Sequence, residues 1–208
     1  MEQSEQQFFS KHDPQILPVI RNSVVGIAGA GGLGSNIAFS LARVGVGTLI
    51  IADFDKIEPP DLNRQQYFVE QIGELKVEAL FENLKKMNPY SEYKIHPVKV
   101  SENNVSEIFG KADILVEAFD EAEMKKMLIE SWLFRSPEEP IIVASGLAGF
   151  GKNEIIHVRK SGSLYICGDE KSECKTGVSP MAPRVAIVAN MQANLALELL
   201  LTERALHG

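Results

Sequence analysis

A glycine-rich segment near the start of the chain has the residue types that bind a nucleotide phosphate. Residues 29–34, GAGGLG, fit the pattern G-x-G-x-x-G and follow a short apolar run. Gly29, Gly31 and Gly32 allow a tight turn that brings the backbone close to a phosphate, and Gly34 lets the following helix pack against the strand. The free N–H groups at the start of that helix attract an anion. The segment therefore predicts a nucleotide site, although a plain strand-to-helix turn would use the same glycines.

Charged side chains further along the chain extend this predicted site. Asp53 closes the next apolar run, where its carboxylate would accept hydrogen bonds from ribose hydroxyls. Arg64 and Lys76 are cations that hydride transfer does not need. Attack on the α-phosphate of ATP does need them, because negative charge grows there and pyrophosphate leaves as an anion. Asp120 closes a later apolar run and would bind Mg²⁺. The alternatives are solvated surface cations and, for Asp120, a helix N-cap.

The pattern of apolar residues supplies the elements that would position these side chains. Strands are predicted at 23–28, 48–52, 93–100, 112–118 and 140–144, a hairpin at 154–158 and 164–166, and helices from 32, from 76, over 121–134 and over 184–204. Strands that alternate with helices pair in parallel through right-handed crossovers. The predicted fold is α/β, Rossmann-like and doubly wound, with a mostly parallel sheet, helices on both faces and a small antiparallel hairpin extension. Residues 23–208 would form one ATP-binding domain after an N-terminal arm, residues 1–22.

The bulk composition narrows the classes of function. The 208 residues have a formal net charge of -7, which disfavours general affinity for nucleic acid or an anionic membrane surface. No apolar run approaches the roughly 20 residues that cross a bilayer, and the first residues lack the pattern of a secretory signal. Two cysteines are too few for a disulfide framework. We therefore expect a cytoplasmic protein with reduced thiols.

Several short motifs follow the glycine loop in a characteristic order. They are Asp53-Phe54-Asp55, residues 61–65 (DLNRQ), Lys76-Val77, Asn88-Pro89, residues 181–183 (MAP) and residues 191–195 (MQANL). With these motifs the chain resembles the ThiF/MoeB adenylyltransferases, relatives of the ubiquitin-activating enzymes, from about residue 21 to residue 201. The compact length and the segment 181–184 make it most similar to the short ThiF-like proteins of thiamine biosynthesis.

The resemblance implies a reaction and a set of roles. ATP adenylates the C-terminal Gly-Gly carboxylate of a ubiquitin-like sulfur-carrier protein, and pyrophosphate is released. The glycine loop and Asp53 would hold ATP together with Asp55 and Asn63; Arg64, Gln65 and Lys76 would bind its phosphates; and Asp120 would position Mg²⁺. Catalysis would consist of alignment and charge neutralisation, because the carboxylate itself is the nucleophile. The resemblance also implies a homodimer with twofold symmetry.

The chain departs from the family pattern at several positions. Asp61 stands where the family usually has Asn, and Glu121 stands where it often has Asn. Many relatives hold a structural Zn²⁺ with two Cys-x-x-Cys pairs. Two cysteines cannot form such a site, so we predict no structural zinc. Many relatives also extend an N-terminal arginine into the partner's active site. Arg21 lies too close to the first strand to do this, so either Lys11 replaces that arginine here or the contribution is absent.

Cys174 is a further catalytic candidate that the resemblance suggests. It lies in the polar loop 168–177, and ThiF-type relatives have a cysteine in a comparable loop that is implicated in a covalent link with the carrier. Neighbouring lysines favour its thiolate and neighbouring glutamates oppose it, so an ordinary thiol is the alternative. Cys167, beside a strand-like run, is predicted to be packed.

Other functions stay open on the sequence alone. Related proteins activate a carboxylate on modified tRNA or on a peptide with the same fold, although the net charge of -7 disfavours tRNA. An NAD-dependent oxidoreductase would explain residues 29–34 and Asp53 but would leave Arg64 and Lys76 without a role. A non-catalytic nucleotide-binding module would bind the nucleotide and release no pyrophosphate.

Overall fold

A seven-stranded sheet forms the centre of the computed structural model, which describes the backbone of residues 3–207 and the side chains of residues 4–202. The strands are β1 (Val24–Ala28), β2 (Thr48–Ala52), β3 (Glu92–His96), β4 (Ile114–Glu117), β5 (Ile141–Ala144), β6 (His157–Ser161) and β7 (Leu164–Gly168). Their order across the sheet is β3-β2-β1-β4-β5-β7-β6. Neighbouring strands are parallel except β6 and β7, which pair antiparallel. Residues 1, 2 and 208, the outer ends of the expected arm and domain, lie outside the described part.

Helices cover both faces of this sheet. They are α1 (Gln3–Phe8), α2 (Leu17–Arg21), α3 (Gly32–Arg43), α4 (Lys76–Met87), α5 (Val105–Phe109), α6 (Ala122–Arg135) and α7 (Ala182–His207). The buried apolar residues form two clusters, one with α3, α4 and α7 and the other with α5 and α6. In β1, Val25 and Ile27 belong to the first cluster and Ala28 to the second, because successive side chains of a strand point to opposite faces. The prediction of a Rossmann-like, doubly wound α/β fold is confirmed.

Some elements differ from the sequence prediction. Helix α5 is not predicted by the apolar pattern, because five residues are too few to show helical periodicity. Strand β3 ends at His96, directly before Pro97, which has no N–H group to donate to the sheet. The hairpin begins at His157, since Asn153–Ile155 forms a 3₁₀ turn. Its second strand also pairs in parallel with β5, so the hairpin continues the main sheet.

The last helix, α7, lies in the core against α3 and the sheet. Val188, Gln192 and Ala196 on this helix have no exposed surface. Contrary to the expectation from the sequence, the stretch Ala182–Thr202 in the described part is long and apolar enough to cross a membrane, yet 50% of its apolar window is buried inside the protein. Packing in the core therefore accounts for the apolar character of this helix.

The N-terminal residues of the described part pack onto the rest of the chain as two short helices. Arg21 forms an ion pair with Glu5, at 2.8 Å, and donates a hydrogen bond to the carbonyl oxygen of Tyr90, at 2.6 Å. The guanidinium also lies over the ring of Phe9. These contacts fix Arg21 on its own chain, in agreement with its predicted position close to the first strand.

Candidate active site

A cavity of about 540 Å³ opens at the carboxyl ends of the parallel strands β1, β2, β4 and β5. This is the edge at which doubly wound sheets bind ligands, and the volume lies in the usual range for small-molecule sites. Most of the predicted site residues line it: Gly29, Gly31, Gly32, Asp53, Asp55, Arg64, Gln65, Lys76, Asp120 and Cys174. Residues from six separate segments of the chain are thus brought to one place.

The glycine loop has the geometry that its residue types predict. Gly29 has a φ of +103°, a conformation that side chains rarely adopt. A Cβ atom at Gly34 would lie 1.9 Å from the carbonyl oxygen of Gly29, so α3 can pack this close to the loop only with glycine there. At Gly31, by contrast, a Cβ would have only the Gln65 amide nitrogen nearby, at 3.8 Å. Gly34 therefore shapes the loop from behind, while Gly31 faces the cavity.

Asp53 fixes the loop as well as lining the cavity. Its Oδ2 accepts the N–H of Ala30 at 2.6 Å, and its Oδ1 accepts the N–H of Asp55 at 2.8 Å. Burial raises the pKa of the Asp53 carboxyl, and these two backbone donors oppose the rise. Each carboxylate oxygen has a second lone pair, so hydrogen bonds from ribose hydroxyls are compatible with this arrangement.

Lys76, at the start of α4, lies among acidic side chains. Its ammonium group is 3.0 Å from the carboxylate of Asp55 and 3.9 Å from that of Asp61. Burial opposes the charge on Lys76, but the surrounding carboxylates outweigh burial and raise its pKa. Asp61 is held by the backbone N–H of Glu58 and by the side chain of Gln65. The carboxylate that departs from the family pattern is thus bound within its own segment.

Arg64 and Gln65 enter the cavity from the segment before Tyr67. The guanidinium of Arg64 donates to Asn63 Oδ1 at 2.8 Å, so Asn63, which does not line the cavity, orients the arginine. Gln65 is 8% exposed, and its Oε1 is buried with no hydrogen-bond partner in the described part of the chain. A buried acceptor without a donor is costly. A polar ligand that donates a hydrogen bond here would remove that cost, as a ribose hydroxyl or a metal-bound water would.

Asp120 is exposed at the rim of the cavity, between β4 and α6. Glu121, not Asp120, is the N-cap residue of α6, and its side chain makes no capping bond. The alternative role of Asp120 as a helix cap is therefore wrong. The described residues contain no group of three or more His, Cys, Asp or Glu side chains that could hold a metal ion. A Mg²⁺ ion would need oxygens of the nucleotide in addition to Asp120.

Glu117 and Lys125 belong to the site, although the sequence did not single them out. Glu117 ends β4 without exposed surface, and Lys125 lines the cavity and forms an ion pair with it. Gln192, on α7, donates to the carbonyl oxygen of Glu117 at 3.1 Å. The only signal in the sequence was an acidic residue at the end of an apolar run.

The loop after β7 brings Cys174 to the cavity. Cys174 is exposed, whereas Cys167 is buried, and burial raises the pKa of the Cys167 thiol to about 12. The prediction that Cys167 is packed is confirmed. Asp169 fixes the start of this loop: it forms a buried ion pair with Arg184 on α7 and accepts the backbone N–H of Ser172 at 2.7 Å.

Comparison with protein families and with curated sequences identifies relatives of one kind, ThiF-family proteins and adenylyltransferases. The chain matches the ThiF family over residues 4–207. It is 30% identical over 182 residues to the adenylyltransferase and sulfurtransferase MOCS3 of Caenorhabditis briggsae, covering 84% of this chain and 44% of the relative. It is 32% identical over 190 residues to the adenylyltransferase and sulfurtransferase UBA4 of Eremothecium gossypii, covering 87% and 42%. The chain thus spans less than half the length of these curated relatives.

Solved structures with the same fold include nucleotide complexes. The tRNA N6-threonylcarbamoyladenosine dehydratase TcdA of E. coli, in complex with ATP, superposes with a TM-score of 0.89 at 19% identity and covers 100% of this chain and 99% of that chain. E. coli MccB with ATP gives a TM-score of 0.68 at 22% identity, covering 89% of this chain and 58% of that chain. At these identities the likeness shows the shared fold.

Proposed function

The chain belongs to the ThiF family, and on that premise we propose that it is an ATP-dependent adenylyltransferase that activates a carboxylate. One observation supports this most. Two cations from separate segments, Arg64 and Lys76, line the same cavity as the glycine loop and Asp53. Hydride transfer to or from NAD has no use for such a pair, whereas phosphoryl chemistry requires positive charge at this place. The names of the curated relatives, both adenylyltransferases, support the same reaction.

The proposed reaction is an attack by an oxygen of the acceptor carboxylate on the α-phosphorus of ATP. A bond from that oxygen to phosphorus forms, the bond from phosphorus to the bridging oxygen breaks, and pyrophosphate leaves with the electron pair. Arg64, Gln65 and Lys76 would bind the phosphates and stabilise the growing charge. The glycine loop, Asp53 and Asp55 would hold and orient the nucleotide. Asn63, expected from the sequence to do the same, would act through Arg64, whose guanidinium donates a hydrogen bond to Asn63 Oδ1. No protein base is required, since the nucleophile is already ionised.

The residues of the cavity fit ATP and a magnesium ion. The unpartnered Oε1 of Gln65 would accept a hydrogen bond from a ribose hydroxyl or a metal-bound water, and the open space at Gly31 would admit a phosphate. Asp120, exposed at the rim, would hold Mg²⁺ together with phosphate oxygens. The ion would supply positive charge that offsets the triphosphate.

The acceptor that we propose is a ubiquitin-like sulfur-carrier protein with a Gly-Gly C-terminus, in thiamine or related sulfur-cofactor biosynthesis. The relatives named as adenylyltransferases and sulfurtransferases support chemistry of this kind. Modified tRNA is the second candidate acceptor, because a tRNA dehydratase has the same fold over nearly the whole of both chains. The net charge of -7 weighs against tRNA.

The test is a pyrophosphate assay with the purified protein, ATP, Mg²⁺ and a candidate carrier. We expect pyrophosphate with the intact carrier and none when the two terminal glycines are removed. Equal release with the truncated carrier would exclude this acceptor. Filter binding of tRNA at moderate salt tests the second candidate, and the oxidoreductase alternative predicts that NAD, not ATP, raises the melting temperature.

We further propose that residues 23–208 act as one catalytic domain and that the protein is a cytoplasmic homodimer. Lys11, if it takes part, would do so in the active site of the partner subunit. Cys174, if it takes part, would do so after adenylation, in a covalent link with the carrier. Three exposed apolar side chains within five residues, Phe68, Val69 and Ile72, support a protein interface next to Arg64 and Gln65 in the sequence. Light scattering of the purified chain tests the dimer; a monomer at micromolar concentration would exclude it.

A further inference from the structure

Residues 64–67, here called the arginine segment, are hydrogen-bonded to Ser35 and Asn36 near the start of α3. Asn36 Nδ2 donates to the carbonyl oxygen of Arg64 at 3.1 Å, and its Oδ1 accepts the side-chain amide of Gln66 at 2.7 Å. The backbone N–H of Gln66 donates to Ser35 Oγ at 3.1 Å. The position of residues 64–67 is therefore set relative to the helix that begins at the glycine loop.

Tyr67 extends this connection into the glycine loop itself. Its hydroxyl donates to the carbonyl oxygen of Ala30 at 2.6 Å, and its ring is packed in the core with 6% of the residue exposed. Ala30 has no exposed surface, so water does not compete for this carbonyl. The hydroxyl is the one donor that reaches the middle of the loop from the arginine segment in the described part of the chain.

Binding the Ala30 carbonyl has a consequence for the next amide. The carbonyl of Ala30 and the N–H of Gly31 belong to one peptide unit, and in a trans peptide they point in opposite directions. The described structure gives the Gly31 N–H no protein acceptor, and Gly31 lines the cavity. Without the tyrosine hydroxyl, this unit has no hydrogen bond of its own in the described structure, and glycine tolerates the change in φ that its rotation requires.

We propose that Tyr67 is a positioning residue for nucleotide binding: its hydroxyl holds the Ala30–Gly31 peptide so that the Gly31 N–H points into the cavity at a phosphate. This inference rests on the proposed function for the identity of the anion. The hydroxyl serves as a permanent donor, because burial, together with Asp53 and Asp61, raises the pKa of Tyr67 well above its usual value. The preceding peptide is fixed separately, since Asp53 accepts the Ala30 N–H.

The chain contains a matched control for this tyrosine. Tyr93 is also 6% exposed, and its hydroxyl donates to the backbone carbonyl of Asn88 at 2.8 Å, away from the cavity. Tyr67→Phe and Tyr93→Phe each remove one buried O–H···O=C bond and keep the ring. Both variants should lose a similar amount of stability. A difference between them in nucleotide binding would therefore be due to the contact of Tyr67 with the glycine loop and not to the loss of stability.

The experiment measures ATP and AMP binding by calorimetry for the wild type and both variants, together with the amide exchange and amide chemical shifts of Gly31 and Gly32. We expect Tyr67→Phe to raise the Kd for ATP about tenfold, the size of one charge-assisted hydrogen bond lost, and Tyr93→Phe to leave it within about twofold of the wild type. The Gly31 amide should shift in Tyr67→Phe only.

Equal ATP affinity in Tyr67→Phe and wild type, or equal weakening in Tyr93→Phe, would overturn the inference while leaving the proposed function intact. Failure of the wild type to bind ATP would instead refute the proposed function. In that case the amide measurements still test whether Tyr67 holds the Ala30–Gly31 peptide. An unchanged chemical shift and exchange rate of the Gly31 amide in Tyr67→Phe would overturn the inference.

Discussion

Glu117, at the end of β4, and Lys125, on α6, form an ion pair at the rim of the cavity, and the glutamate has no exposed surface. The other carboxylate oxygen of Glu117 accepts the N–H of Phe119 at 2.7 Å. Lys125 also donates to the carbonyl oxygen of Ala144 at 2.9 Å. The pair therefore joins the ends of two strands to α6, directly beside the turn that presents Asp120.

Because of the Glu117–Lys125 pair, we expect the free energy of unfolding to depend on pH. Burial raises the pKa of Glu117, and Lys125 opposes the rise. The folded state then holds the proton more tightly than the unfolded state. The stability that comes from this tighter proton binding by Glu117 is fully present below the unfolded pKa of about 4.3. It is lost as the pH rises through the higher pKa of Glu117 in the folded state. Lys125→Met should lower the free energy of unfolding by about 3 kcal/mol at pH 8 and by less at pH 5.

Urea denaturation at several pH values measures this effect. The double variant Glu117→Gln with Lys125→Met is the control, because it has no buried carboxyl group to titrate and should show a flatter pH dependence than Lys125→Met alone. A loss in Lys125→Met that is the same at pH 5 and pH 8 would contradict the assignment.

Substitution of two glycines of the same loop should have different effects, on stability at Gly34 and on ATP affinity at Gly31. In Gly34→Ala the new methyl group would overlap the Gly29 carbonyl oxygen, so α3 must move and we expect a loss of about 3 kcal/mol in stability. In Gly31→Ala the methyl group enters the cavity, where only Gln65 is near, so stability should change by less than about 1 kcal/mol. ATP affinity should nevertheless fall in Gly31→Ala, because the methyl group occupies the space of a phosphate. Denaturation and calorimetry on both variants separate these outcomes; normal ATP affinity in Gly31→Ala would place the phosphates elsewhere.

The sequence was most informative where a function depends on neighbours along the chain. The glycine loop and Asp53 form a local pattern, since a strand, a tight turn and a helix follow one another within one βαβ unit. Arg64 and Lys76 were predicted from their place after that unit. The strands β1 and β2, which lead into the glycine loop and Asp53, are also predicted, because buried parallel strands are continuous apolar runs.

The remaining contacts depend on the folded chain. Whether an acidic residue at a strand end, such as Glu117, is exposed or buried is decided by α6 and α7, which reach it from later parts of the sequence. The hydroxyl of Tyr67 meets Ala30 across 37 positions, and nothing in a local window indicates that contact. For the same reason Asp120 could not be distinguished from a helix cap until the start of α6 was known.

The two cysteines should differ in reactivity. Cys174 is exposed in a loop that lines the cavity, whereas Cys167 is buried with a pKa raised to about 12. Iodoacetamide should therefore modify one thiol per native chain and two per denatured chain, because only an accessible thiolate reacts. Mass spectrometry counts the adducts. Native labelling that persists in Cys174→Ser would show that Cys167 is accessible in the folded chain and would contradict this prediction. ATP should slow the labelling of Cys174, because both would occupy the cavity.

Arg64 and Lys76 should affect the rate of adenylation more than the binding of ATP. The charge that they would stabilise is greater in the transition state than in bound ATP, so Arg64→Ala and Lys76→Ala should each lower kcat for pyrophosphate release by about 100-fold and raise the Kd for ATP only a few-fold. Lys86→Ala is the matched control, because Lys86 is an exposed cation on the same helix, α4, as Lys76. We expect the kcat of Lys86→Ala to equal that of the wild type. The loss in Lys76→Ala would then be due to the position of Lys76 in the cavity and not to the loss of a positive charge alone. Unchanged turnover in Arg64→Ala and Lys76→Ala would remove both residues from the mechanism, and a similar loss in Lys86→Ala would point to the overall charge of the protein instead.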